Sequence, residues 1–345
     1  MQKQAQLVSF LLAAIFGVPF ALAAAKNKAI PSEQPGEITG SVLTVLWREP
    51  AKISSENLFY GAGGRQHEPR GPFTFLREDL DGSNPKFDVR DEHGVQWKVK
   101  LGDEARPETV ATRLLWSVGY HTDWDYFLPS IRVEELPSRL HRGRDRVGPR
   151  GTIQNVRLKR EPQGEQKIAI WKWRRDPFAG TREWNGLRVM MAVINNWDLK
   201  DENNAVHVEK RPAAGEARIY EISDLGASFG KNGLSLDRKI SKGDLEFYIR
   251  SKFIKKIGPD YVNFATPRRA DVITLFNPHE FFSRLNLRWI GKQVPRQDAR
   301  WMGGLLAQLS PRQIRDAFRA GGYSPREVDG FATVVEARIA QLDKL

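Results

Sequence analysis

Three stretches of the chain carry side chains whose types and spacing could work on one charged substrate. The segment Trp197-Asp198-Leu199-Lys200-Asp201-Glu202-Asn203-Asn204 sets a carboxylate, an ammonium two residues on and a carboxamide five residues on within one short loop. Tyr220-Glu221-Ile222-Ser223-Asp224-Leu225-Gly226 is an apolar strand ending in Asp-Leu-Gly, its Asp twenty-one residues after Asn203. A carboxylate at a strand end, followed by a flexible Gly, can reach a divalent ion that bridges phosphates, and Asn203 can approach the same ion from the neighbouring loop. In Trp97-Lys98-Val99-Lys100-Leu101, Lys98 and Lys100 share one face of a strand, and either can point at phosphate oxygens. Lys100, between Val99 and Leu101, is the preferred one.

Each stretch has a plainer reading. The Asp198 to Asn204 segment also fits a polar surface turn, which Asn and Asp populate readily. Lys100 also fits an edge-strand lysine that blocks aggregation. Joined in one order along one chain, the three point to a common site. The six His are scattered and show no zinc spacing. Gly61 to Gly64 reads as a loop, because no helix start follows it. Trp171, Trp173 and Trp184 could stack on a sugar, but large aromatics more often fill a core.

The elements that must position these groups are legible in outline. Ser41 to Trp47, Phe73 to Leu76, Lys86 to Arg90 and Val95 to Leu101 read as strands, with a hairpin turn at Asp91-Glu92-His93-Gly94. They predict an antiparallel sheet. A helix is expected from Pro107, with Val110, Leu114, Leu115 and Val118 on one face and Gly119 closing it. Short strands follow at Thr152 to Leu158 and Ile168 to Trp173, then a helix from Trp184 to Asn195. A strand pair is expected at Ala205 to Val208 and Ala217 to Ile222, around a turn at Arg211 to Gly215. Ser310-Pro311 and Ser324-Pro325 each read as a cap and first residue of a helix, separated by Gly321-Gly322.

The chain has 345 residues, no Cys, ten Trp, eighteen Phe and a formal net charge of +12. Stability must therefore come from burial, and the charge favours an anionic partner: nucleotide, lipid or an acidic polymer of the cell envelope. No aromatic and basic pattern of a nucleic-acid reader stands out, so nucleic acid is not among the expected partners. Lys3, the apolar run Leu7 to Ala25 and its small-residue end have the layout of a signal peptide or, if uncleaved, a membrane anchor. The protein is expected to be exported, to the periplasm or cell surface. The expected domains are the leader at 1–25, a linker at 26–37, a first lobe at 38–130 and a second at 131–345.

Asp-Leu-Lys-x-x-Asn at 198–203, Asp-Leu-Gly at 224–226 and the strand lysine Lys100 together resemble the protein-kinase-like superfamily. The likeness is nearer to its toxin-type, lipid-type and secretory-pathway branches, and exported bacterial proteins are similar. Departures are plain: Asn196-Trp197 stands where His-Arg would precede the Asp, Leu225 where Phe would follow Asp224, and a glycine-rich loop and an Ala-Pro-Glu are lacking. The resemblance implies an α+β, two-lobed fold, an antiparallel sheet plus helix followed by a mainly helical lobe. It implies phosphotransfer from ATP or another nucleotide with Mg or Mn. Asp198 and Lys200 would be catalytic, and Asn203 and Asp224 would hold metal. Lys100, with Glu108 or else Glu104 as its acidic partner, would bind phosphates, and Gly82 and Ser83 in the turn Glu78 to Pro85 would cover them. The acceptor, a protein, lipid, sugar or small molecule, is left open, and a non-catalytic binding module or scaffold at the envelope is the alternative.

Overall fold

A run of strands whose alternate side chains are apolar closes on itself near the start of the described chain. The computed structural model describes residues 43–80, 84–160, 166–211, 215–230, 242–266 and 288–345. All lie within the unit Glu37–Leu345. The signal-peptide and linker expectations, and Gly82 and Ser83, lie outside the described residues.

Strands β2 (Phe73–Asp79), β3 (Lys86–Arg90), β4 (Gln96–Leu101), β5 (Asp125–Glu134) and β6 (Thr152–Arg160) form a barrel in the order β2-β3-β4-β6-β5. Neighbours run antiparallel, except that β2 and β5 close the barrel as a short parallel pair, Phe73 opposite Val133. Phe87, Val89, Trp97, Val99, Leu101, Val156 and Leu158 fill the interior, as a period of two requires. The β3–β4 turn is built by Asp91, whose carboxylate accepts from the His93 and Val95 backbone N–H groups and from Trp97 Nε1 at 2.8 Å. Gly94 there has φ 79°, the left-handed backbone that such a turn demands.

Helix α1 (Ala105–Ser117) follows β4. It starts two residues before Pro107, which sits in the first turn where a missing N–H costs nothing. Its face of Val110, Leu114, Leu115 and Val118 joins the larger core with Leu187, Met190 and Met191 of α2 (Arg182–Val193). On its opposite side the buried Arg113 guanidinium holds Asp125 at 3.0 Å, tying the helix to β5. One helix is thereby fastened to both the barrel and the core beyond it.

A second sheet has the order β1-β9-β8-β7, from β1 (Leu43–Val45), β7 (Gln166–Ala169), β8 (Asn204–Arg211) and β9 (Gly215–Ile222). Among the described residues, β10 (Ile254–Ile257), β11 (Tyr261–Phe264) and β12 (Val294–Pro295) form a third. Helices α3 (Leu245–Arg250), α4 (Arg296–Leu306), α5 (Pro311–Ala320) and α6 (Pro325–Asp343) complete the C-terminal region. Ser310 and Ser324 cap α5 and α6 with reciprocal bonds from Gln313 and Glu327.

The fold is α+β, with an N-terminal barrel and helix before a largely helical C-terminal region. Two features differ from the sequence expectation. The division at 130 falls inside β5, and the barrel continues to Arg160, because β6 supplies both β4 and β5 with partners. The first strand, β1, pairs in parallel with β9 instead of joining the barrel, Leu43 opposite Ala217.

Candidate functional site

The buried ammonium of Lys100 is the centre of the arrangement. Strand β4 alternates Trp97, Val99 and Leu101 into the barrel, so Lys98 and Lys100 lie on its outer face. Lys98 is taken by Asp79 of β2 at 2.9 Å and Asp88 of β3 at 3.3 Å. Lys100, only 4 % exposed, lies 2.6 Å from Glu104 Oε2, 2.9 Å from Glu108 Oε2 and 2.7 Å from Asp224 Oδ1. Three donors of one ammonium meet three carboxylates.

Both acidic candidates before and within the first turn of α1 therefore bind the lysine. Glu108 is fully buried, and its other oxygen takes the Arg157 guanidinium at 2.8 Å. Glu104 also accepts from Asn84 Nδ2 at 2.5 Å and pairs with Lys242. Lys100, Arg157 and Lys242 balance the three carboxylates. Burial alone would push the lysine pKa down, but Glu108 and Asp224 beside it hold it above the usual value. Loss of water around Asp224 raises its carboxyl, and Lys100 more than offsets this, leaving it below the usual carboxylate range. Arg157, Lys242 and Asn84 were not anticipated. Arg157 stands opposite Lys100 in the β4–β6 ladder, a pairing between strands far apart in the chain that no local pattern records.

Asp224 follows β9 in a left-handed conformation, φ 52° and ψ 51°. Such a conformation in a non-glycine residue costs about 1 kcal/mol or more and persists only where surrounding contacts enforce it. Those contacts are at hand. Ser223 donates to Asp123 at 2.8 Å, Ser228 donates to the Leu225 carbonyl at 2.7 Å, and Gly226 lies against Glu104. The Asp224 side chain remains about half exposed, 48 %.

The β8–β9 ladder sets the next relationship. Asn204 pairs with Ile222, so Asn203 and Asp224 both leave the hairpin at the same end. The loop before it is anchored at several points. Phe229 N–H donates to the Ile194 carbonyl at 2.8 Å, Asn195 Nδ2 to the Gly230 carbonyl at 2.7 Å, and Asn196 Nδ2 to Ser228 Oγ at 3.2 Å. Asn196 also accepts the Asp198 N–H at 3.0 Å. Arg338 of α6, buried at 2 % exposure, donates to the Ala192 and Val193 carbonyls and so fixes the end of α2 from which this loop springs.

Within the loop, Asn203 Nδ2 donates to the Asp198 carbonyl at 2.8 Å, closing a ring over the turn Asp201–Asn203. Lys200 Nζ stands 3.9 Å from Asp198 Oδ1. Lys100, Glu108 and Asp224 are thus in direct contact. Asn203 reaches the same hairpin end through the strand register, and Asp198 and Lys200 are joined to it through Asn203. Glu104, Glu108 and Asp224 offer carboxylate oxygens within 4.8 Å of one another, a spacing that suits a cation, and the Lys100 ammonium takes that place.

No family model and no curated relative matches the sequence. Among solved structures the chain is similar to the proinflammatory kinase CtkA of Helicobacter pylori, with 10 % identity, TM-score 0.46, and coverage of 80 % of this chain and 98 % of that one. It is also similar to the Rio2 kinase of Chaetomium thermophilum in its ADP/Mg2+-phosphoaspartate complex, with 11 % identity, TM-score 0.30, and coverage of 78 % and 72 %. A third likeness is to the golgi casein kinase, with 10 % identity, TM-score 0.31, and coverage of 80 % and 73 %.

Proposed function

We propose that the chain is an exported, kinase-like phosphotransferase that uses ATP or another nucleotide with Mg or Mn. One observation carries the reading: Lys100 meets Glu108 and Asp224 across separate elements, 2.9 and 2.7 Å from its ammonium. An ammonium held between a helix and a strand end is positioned to grip phosphate oxygens, and Glu108, itself held by Arg157, fixes its direction.

The donor set fits a hard divalent ion. Asp224 keeps an exposed carboxylate and Asn203 leaves the hairpin beside it, both oxygen donors of the kind Mg and Mn take. Bound there, the metal would neutralise charge on the phosphates during transfer. Asp198 orients the acceptor hydroxyl or takes its proton, and Lys200 offsets charge on the phosphoryl group. In this reading Lys100 exchanges some of its carboxylate contacts for phosphate when nucleotide enters.

Export to the periplasm or cell surface is supported by the basic start and apolar run at Lys3 and Leu7 to Ala25. Cell fractionation tests it. Among the described residues, no helix is long and apolar enough to cross a membrane.

The test of function is incubation of the purified full chain with γ-labelled ATP and Mg or Mn, alongside Asp198→Ala and Asp224→Ala. Label transfer or ATP turnover that both substitutions abolish is expected. A melting temperature unmoved by nucleotide and metal, together with no transfer, would instead make the chain a non-catalytic binding module.

A further inference from the structure

A second cavity, of about 700 Å³, opens on the face of the β8–β9 hairpin that carries His207 and Glu221. The Tyr120 to Trp124 connection, the end of β6 and residues between Arg48 and His67 enclose the rest of it. Lys100, Glu108, Asp198, Asn203 and Asp224 are not among its lining residues. Its volume lies in the range of small-molecule sites. We propose that it binds a nucleoside monophosphate, base inward, at a site separate from the Lys100 cluster.

The floor presents a polar edge with one ring nitrogen unmet. In the ladder His207 faces Ile219 and Ala205 faces Glu221, so His207 and Glu221 project from the same face of the hairpin. His207 is 9 % exposed, and its Nδ1 has no hydrogen-bond partner. Its Nε2 pairs with Glu221 Oε1 at 3.6 Å, and Glu221 in turn faces the buried Asp123 carboxylate. Lys159 holds Glu221 in place from 3.8 Å while pairing with Asp123. Buried polar groups are ordinarily satisfied, so an imidazole nitrogen that is not marks a place for a ligand's donor or acceptor. A heteroaromatic base carries both kinds of group on its rim.

The mouth offers a plane and a positive charge. Trp124 is 40 % exposed at the rim, with the Arg160 guanidinium 5.5 Å from its ring centroid and the His67 ring at 5.4 Å. A large exposed indole beside a cavity is a stacking surface for a flat ring. Arg48 and Arg160, on the lining, can hold an anionic tail. Two cations at the rim suit a single phosphate.

Calorimetry of the full chain with AMP, in EDTA so that metal-dependent binding is silent, tests this. Saturable AMP binding that is retained in Asp224→Ala and weakened at least about tenfold in Trp124→Ala and His207→Leu is the expected result. Ribose 5-phosphate should bind more weakly than AMP, because it lacks the base. Trp124 is a rim residue, so Trp124→Ala keeps the test valid if His207→Leu fails to fold, and Ala62→Trp, which plugs the cavity wall, gives a further check. Absence of AMP binding, binding lost in Asp224→Ala but unchanged in Trp124→Ala, or equal affinity for ribose 5-phosphate overturns the proposal.

Discussion

Gly226 and Glu104 approach so closely that a side-chain carbon added at Gly226 would stand 2.5 Å from the Glu104 Cβ and 2.9 Å from its Oε2. The segment after Asp224 is therefore laid directly against the start of α1, and this contact keeps Asp224, Glu104 and Lys100 together. Gly226→Ala is expected to push the two apart, at a cost of about 1–3 kcal/mol. A lower melting temperature, together with loss of nucleotide-dependent stabilisation, would be read by thermal unfolding with and without ATP and Mg. Unchanged behaviour in both would mean that the approach is incidental.

Several of these relationships were legible in the sequence, for local reasons. The hairpin carrying Asn203 and Asp224 to one end follows from two β-rich runs around a turn, and once paired, their register determines which residues meet. The preference for Lys100 over Lys98 rests on the likeness of Val99-Lys100-Leu101 to the kinase strand lysine, and the structure gives each a different set of partners. The capping Ser residues of α5 and α6 were equally plain. What escaped is non-local. The parallel closure of the barrel by Phe73 and Val133, the pairing of Leu43 with Ala217, and the arrival of Lys242 at Glu104 depend on segments far apart in the chain. No periodicity within either partner records such a choice. Arg157 was missed for a related reason: its strand was read, but not its place beside β4.

Asp176 offers a pH test away from the candidate site. Its Oδ1 accepts the Phe178 N–H at 2.7 Å, while its buried Oδ2 has no hydrogen-bond partner. Burial pushes its pKa up from 3.8 to about 6, with the Phe178 bond opposing in part. The folded state thus holds this proton more tightly than the unfolded chain does. The resulting stability is complete below about pH 3.8 and is lost as pH rises through about 6. Asp176→Asn keeps the acceptor and removes the charge, so it should raise stability at pH 7.5 by about 1–2 kcal/mol and flatten the slope between pH 4 and 7. Denaturant titrations at several pH values measure both, and a parallel slope in the variant would remove Asp176 as its source.

Lys100→Met leaves three carboxylates within 4.8 Å of one another without the ammonium that separates them. Removing one partner of a buried ionic cluster costs about 3–5 kcal/mol, because the remaining charges stay desolvated. The melting temperature should fall markedly at pH 7. It should fall less at pH 5, where the carboxylates left without their counterion take up protons. Lys100→Arg retains the charge but not the compact shape, so it should preserve more stability than Lys100→Met and still impair nucleotide binding. Equal melting temperatures for the Met variant and the parent would show that the ammonium is not what holds the cluster.

Asn203 serves two relationships that substitution can separate. Its Nδ2 donates to the Asp198 carbonyl at 2.8 Å, and the strand register brings the residue to the hairpin end from which Asp224 also leaves. Asn203→Asp retains an oxygen donor for a metal but replaces the N–H donor with a carboxylate oxygen facing a carbonyl oxygen. Asn203→Ala removes both. If the loop bond is what holds Asp198 in place, the Asp variant should behave like the Ala variant, with phosphoryl transfer reduced roughly 10–100-fold and stability lowered by about 1 kcal/mol. If metal binding alone matters, Asn203→Asp should keep most of its activity while Asn203→Ala loses it. Initial rates across a Mg titration distinguish these outcomes. A rate in Asn203→Asp that stays low at saturating Mg assigns the loss to the Asp198 loop, because more metal cannot restore a missing N–H donor.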